Sequence, residues 1–186
     1  IEWHIDKSTE EDSEIYERVE NFCGRYLNAS RYNLADLEEL VKSGSLQLDP
    51  SHDPSIDEIS RSNLDSFGTS EQGYPLFPYN KAALKALTDH NCRNFSGELE
   101  FNPRTVLSHI LIPILREYRG QFSDGLFPPP NFLRLPVSAN LQNQLQIGDH
   151  RELERSLSAV AFWGYEAADI GTLVVIMPPA IAAVMC

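Results

Sequence analysis

The stretch from Tyr74 to Tyr118, YPLFPYNKAALKALTDHNCRNFSGELEFNPRTVLSHILIPILREY, holds two helix-forming segments and one conspicuously placed arginine. Asn80 is an N-cap type residue, and Ala83, Leu84 and Leu87 follow it at helical spacing, so a helix with one apolar stripe begins there. A second start is sharper. Asn102 caps, Pro103 occupies the first helical position where its missing N–H costs nothing, and Val106, Leu107, Ile110, Leu111, Ile114 and Leu115 repeat at helical period. Pro113 removes one hydrogen bond of that ladder and clashes with the carbonyl of His109, which predicts a kink or an early end near Leu111.

Arg104 then falls in the first turn of an otherwise apolar helix, where the macrodipole disfavours a cation. A residue so placed needs an external partner. Two readings stay open: a surface ion pair with Glu98 or Glu100, or an arginine presented to an anion such as a phosphate.

Tyr74-Pro75-Leu76-Phe77-Pro78, a short helix, and Phe101-Asn102-Pro103-Arg104-Thr105 opening a longer one together resemble the helical lid of AAA+ and related P-loop ATPases. The wording is most similar to bacterial ATPases of DNA-modification and phage-defence systems, such as the phosphorothioation-dependent restriction ATPases. The resemblance implies that Arg104 is a sensor 2 arginine reaching the γ-phosphate of ATP, with Asn102, Pro103 and Thr105 setting the helix start that carries it. It further implies ATP and magnesium held by an upstream P-loop domain of the same chain, other protein subunits as partners, and a role in restriction or antiviral defence. Many such lids have a glycine just before the Asn-x-Arg; here Glu100 and Phe101 stand there.

The chain of 186 residues has a net charge of −12 and is 42% hydrophobic, which fits a globular protein with a sizeable core. The charge is uneven: residues 1–73 carry 17 acidic and 6 basic side chains, residues 74–186 carry 10 and 9. The first part repels nucleic acid and anionic membrane, so direct nucleic-acid binding by that half is not expected. Three widely spaced cysteines fit a reducing cytoplasm better than a disulfide framework. The chain opens on Ile1 without a basic or apolar leader and reads as a processed or excised piece of something longer.

The spacing predicts a helix from about Thr9 to Leu27, opened by a Ser8–Glu11 capping box, and a second capped by Asn33 and ended by Gly44, the two forming an αα-hairpin. Ser45 to Gly73 is polar and reads as a long loop with a turn or two of helix near Pro54–Ser60. Phe127, Phe132 and Leu133 look like anchors around a stiff Pro128-Pro129-Pro130 connector. Further helices are expected from Ser138 to Gly148 and from Asp149 to about Trp163, with Phe162, Trp163 and Tyr165 packing in the core. Thr172 to Cys186 is too short, and broken by Pro178-Pro179, to span a bilayer as a helix; a buried run to Met177 followed by a last helix is expected.

The fold class expected is mainly α, an irregular bundle of short helices with long loops and any β structure confined to a small hairpin near Glu98–Phe101 or Leu173–Ile176. Residues 1–73 are expected to form an acidic helical hairpin plus polar loop, and residues 74–186 a lid-like bundle with a C-terminal extension, either as two units or as one continuous domain. No internal repeat stands out.

No catalytic constellation is visible. The chain has no G-x-x-x-x-G-K-[ST], so it carries no phosphate-cradling loop and is not a complete P-loop enzyme. Asp89-His90-Asn91-Cys92 supplies too few ligands for zinc, and no metal site is expected. Two functions from different classes remain. One is a regulatory lid closing over ATP held elsewhere; the other is an acidic helical interaction module without a nucleotide role.

Overall fold

The computed structural model describes residues 11–44, 48–49, 58–129, 132, 150–169 and 172–176. The molecule is mainly helical. At its centre α1 (Asp12–Ala29), α4 (Lys81–Asn91) and α5 (residues 103–117) lie side by side, α4 antiparallel to the other two. Around them are α2 (Leu34–Lys42), α3 (Glu58–Asp65), α6 (Arg119–Ser123) and α7 (His150–Trp163). A two-stranded antiparallel pair, β1 (Tyr165–Asp169) and β2 (Thr172–Ile176), follows in a register that sets Tyr165 opposite Ile176.

Each central helix buries the stripe its spacing dictates. Val19, Cys23 and Leu27 of α1 meet Ala83, Leu84 and Leu87 of α4, and Val106, Ile110, Leu111 and Ile114 of α5 close the other side. Phe127, Phe132, Phe162 and Trp163 extend this core as a chain of edge-to-face rings, with neighbouring centroids 4.9–5.7 Å apart. The core thus draws on residues both before Gly73 and after it. The anchoring expected of Phe127 and Phe132, and the packing of Phe162 and Trp163, are found; Leu133 and the side chain of Tyr165 lie outside the described residues.

Several expectations need correction. α1 starts at Asp12 behind an extended Glu11 that makes no side-chain cap, not at Thr9; Asp12 and Glu14 in its first turn suit the dipole instead. No residue of α2 is buried, and Leu34 and Val41 are 73% and 65% exposed, so α2 does not pack on α1 as an αα-hairpin. α1 packs instead against α4 and α5.

Residues 58–76 are not a loop. They form α3 and a tight hairpin joined by an isolated bridge between Thr69 and Pro75; Pro54–Asp57 of the expected helical turn lie outside the described residues. Helix α5 does not end near Leu111 but continues through Pro113 to Glu117. Its first turn is α-helical, and Val106–Leu111 and Pro113–Glu117 are π-helical. In this wider turn Ile112 N–H reaches Leu107 O and Tyr118 N–H reaches Pro113 O, so the chain passes the proline without an α-helical ladder to interrupt. The Tyr79 hydroxyl, fully buried, donates to Ile110 O at 2.7 Å within that stretch.

Thr172–Ile176 is a strand paired with Tyr165–Asp169, at one of the two places where a small hairpin was expected. The helix expected at Ser138–Gly148, the Asp149 start of α7 and the helix expected after Met177 lie outside the described residues. Among the described residues no helix is long and apolar enough to cross a membrane.

Candidate functional site

Helices α4 and α5 are each introduced by the same backbone device. In the first hairpin, Leu76 N–H donates to Gly68 O, Ser70 N–H to Tyr74 O and Gly73 N–H to Ser70 O. In the second, Glu100 N–H donates to Cys92 O, Asn94 N–H to Glu98 O and Gly97 N–H to Asn94 O. The spacings are identical, and each turn places a glycine at positive φ, Gly73 at 82° and Gly97 at 83°. An asparagine N-cap follows each turn, Asn80 and Asn102. The sequence reading found no repeat because the two turns, SEQG and NFSG, share only their glycine.

Asn102 accepts from Arg104 N–H at 3.0 Å and Thr105 N–H at 3.4 Å, while Val106 N–H reaches Asn102 O and Pro103 has no N–H to offer. Every donor of the first turn is therefore used by the chain itself. The helix terminus offers no free N–H to an anion, contrary to a phosphate-binding helix start. What remains is the guanidinium of Arg104.

Arg104 is exposed, and among the described residues no carboxylate lies within ion-pair distance of its side chain. The expected pair with Glu98 or Glu100 does not form. Glu98 instead accepts from Asn94 Nδ2 at 3.3 Å across its own hairpin. Phe101, which stands where a glycine was noted as usual, is half-buried. It meets Phe22 edge-on at 5.7 Å and carries the Arg18 guanidinium 4.4 Å above its ring. That aromatic anchor fixes the start of α5 against α1, so Arg104 is displayed from a rigid base.

A groove of about 1030 Å³ lies elsewhere, between α1, the first hairpin and the start of α4. Lys81 bridges it, 2.7 Å from Glu71 and 3.4 Å from Glu20. Hydrogen bonding to Glu71 raises the Lys81 pKa and lowers that of Glu71, while burial raises that of Glu20. With Glu17, Asp65 and Asp89 also lining it against Lys85, the groove is net acidic and repels phosphate. Tyr16 at its edge donates to Asp89 at 2.8 Å, and burial together with that bond pushes its pKa up to about 12.

Among the described residues no three His, Cys, Asp or Glu side chains gather as metal ligands; Cys92 is a buried helix C-cap and His90 is exposed. Burial pushes the thiols of Cys23 and Cys92 up, which keeps them protonated and unreactive.

No family model matches this chain, and no curated protein or solved structure matches it.

Proposed function

We propose that this chain is a lid-like regulatory region of a larger ATP-binding protein, in which Arg104 faces the γ-phosphate of ATP held with magnesium by an upstream P-loop domain. The single observation that carries this reading is an arginine exposed at the base of a rigid, Asn-capped helix, with no acid beside it among the described residues. A cation that no described acid pairs suits an external anion, and guanidinium matches phosphoryl oxygens in bidentate fashion. Because Asn102 consumes the first-turn N–H groups, Arg104 acts through its guanidinium and not through its helix terminus, stabilising the phosphoryl group and coupling hydrolysis to lid movement. Work in the cytoplasm, in DNA restriction or phage defence, follows from the family resemblance.

The test is ATP turnover by the longer protein carrying Arg104→Ala, with the thermal midpoint measured alongside. A fall of about tenfold or more, about 1.4 kcal/mol of barrier, at unchanged folding supports the lid. Unchanged turnover removes it.

One observation favours the alternative, an acidic interaction module. Helix α2 leaves Leu34 and Val41 exposed beside Glu38 and Glu39, an apolar stripe with an acidic margin suited to a basic partner. Reversing Glu38 and Glu39 to lysine would abolish partner binding under that reading and leave turnover intact under the first.

A further inference from the structure

Phe95 stands at the apex of the second hairpin and is 112% exposed, so its whole ring is in water. An aromatic at a turn apex gains nothing for its own fold, and burial elsewhere is favourable. The flanks of the ring are acidic. Glu98 and Glu100 are exposed, whereas the nearby Arg93 is committed to Asp89 at 2.6 Å and to Gly97 O at 2.8 Å.

At the opposite end of the helical layer there is an apolar pocket of about 520 Å³, walled by Leu27, Leu64, Phe77, Pro78, Ile114 and Leu115. Its rim carries two cations, Arg31 and Arg119, each of which also makes contacts within its own chain. Phe77 and Leu115 keep 38% and 40% of their surface exposed there, so the pocket is open.

The topology separates knob and pocket. Tyr16 of α1 bonds Asp89 near the end of α4, and Gly24 of α1 sits against Tyr74 before its start, so α1 and α4 are antiparallel. Phe95 follows the C-terminal end of α4, while the pocket gathers the last turn of α1, the residues just before α4 and the end of α5. The eleven residues of α4 put roughly 16 Å between these ends, and Phe95 does not reach the pocket of its own chain.

We propose that copies of this chain associate head to tail, Phe95 of one entering the Leu27–Phe77–Leu115 pocket of the next, with Glu98 and Glu100 facing Arg31 and Arg119. Knob and pocket are different surfaces, so the contact is heterologous and builds a ring or an open chain of copies. The complementary charge selects the orientation and speeds encounter. This inference is independent of the nucleotide reading, because Arg104 takes no part in it.

Sedimentation velocity over a concentration series tests it, with near-ultraviolet circular dichroism to verify folding. The wild-type chain associates beyond a dimer as concentration rises. Phe95→Ser, which removes no internal contact, and Leu115→Glu, which charges the pocket wall, each leave the chain monomeric. An equimolar mixture of the two variants keeps one intact knob and one intact pocket, so it forms a one-to-one dimer and nothing larger. A wild-type chain that stays monomeric throughout, a Phe95→Ser chain that associates like wild type, or a mixture that remains monomeric overturns the proposal.

Discussion

The two hairpins share one hydrogen-bonding pattern and one glycine geometry, yet one is built into the core and the other stands in water. The first is docked on α1. Asn21 accepts from Gln72 N–H at 3.1 Å, Arg25 donates to Gln72 Oε1 at 2.7 Å, and Gly24 lets Tyr74 approach. Its asparagine is buried and clips two helices: Oδ1 caps Ala83 N–H at 2.8 Å, and Nδ2 donates to the last carbonyl of α7, Trp163 O, at 2.6 Å. Trp163 returns a bond from Nε1 to Pro78 O at 2.9 Å. The second hairpin is held only near its base, by Arg93 on Asp89 and Phe101 against Phe22, and leaves Phe95, Asn102 and Arg104 exposed. A shared turn thus becomes structural or display hardware according to what its neighbours bury.

Asn80→Ala gives the largest expected effect. It removes a helix cap and strands a buried carbonyl, costing about 2–4 kcal/mol. Asn102→Ala at the exposed counterpart costs only about 1 kcal/mol. Urea unfolding of both variants measures the gap; equal losses would erase the distinction between the hairpins.

Gly24→Ala comes next. In an exposed helix that change stabilises by about 0.5–1 kcal/mol. Here the added Cβ would lie 2.8 Å from Tyr74 Cβ, so the docked hairpin must shift and stability should fall by about 1–3 kcal/mol. A stabilised variant would mean that the first hairpin is as loosely held as the second.

Tyr16→Phe is the mildest, about 0.5–1.5 kcal/mol for a partly exposed hydrogen bond. Its signature is in the pH dependence. The folded Tyr16 pKa lies at about 12, above its ordinary value of 10.0, so its contribution is complete below pH 10 and fades as pH rises through 12. The stability difference between wild type and Tyr16→Phe should shrink across that window. Subtraction removes the similar contribution of buried Tyr79, whose pKa is also raised by burial.

The parts of this fold that depend on side-chain type were legible in the sequence. Asn33, Asn80 and Asn102 all cap as their chemistry predicts, Pro103 sits at the first helical position, and the apolar spacing of α4 and α5 gives their buried faces. What depends on backbone closure or on distant partners was not. Nothing in SEQG or NFSG beyond a glycine announces a hairpin, and the π-helical turns that carry α5 past Pro113 accept a hydrogen bond from the distant Tyr79. The apolar stripe of α2 was readable, but its exposure was not, because burial is decided by which other elements pack against it. At the candidate site, Arg104 was identifiable from its odd position in an apolar helix. The loss of the N–H donors to Asn102 and the aromatic base at Phe101 required coordinates.

The most direct test of a phosphate-facing Arg104 is the preference of the longer protein for a non-hydrolysable ATP analogue over ADP, measured by titration for wild type and Arg104→Ala. Contact with the γ-phosphate predicts that the substitution weakens the analogue by about tenfold or more, roughly 1.4 kcal/mol, and leaves ADP affinity unchanged. Equal affinities for both nucleotides before and after the substitution would contradict it.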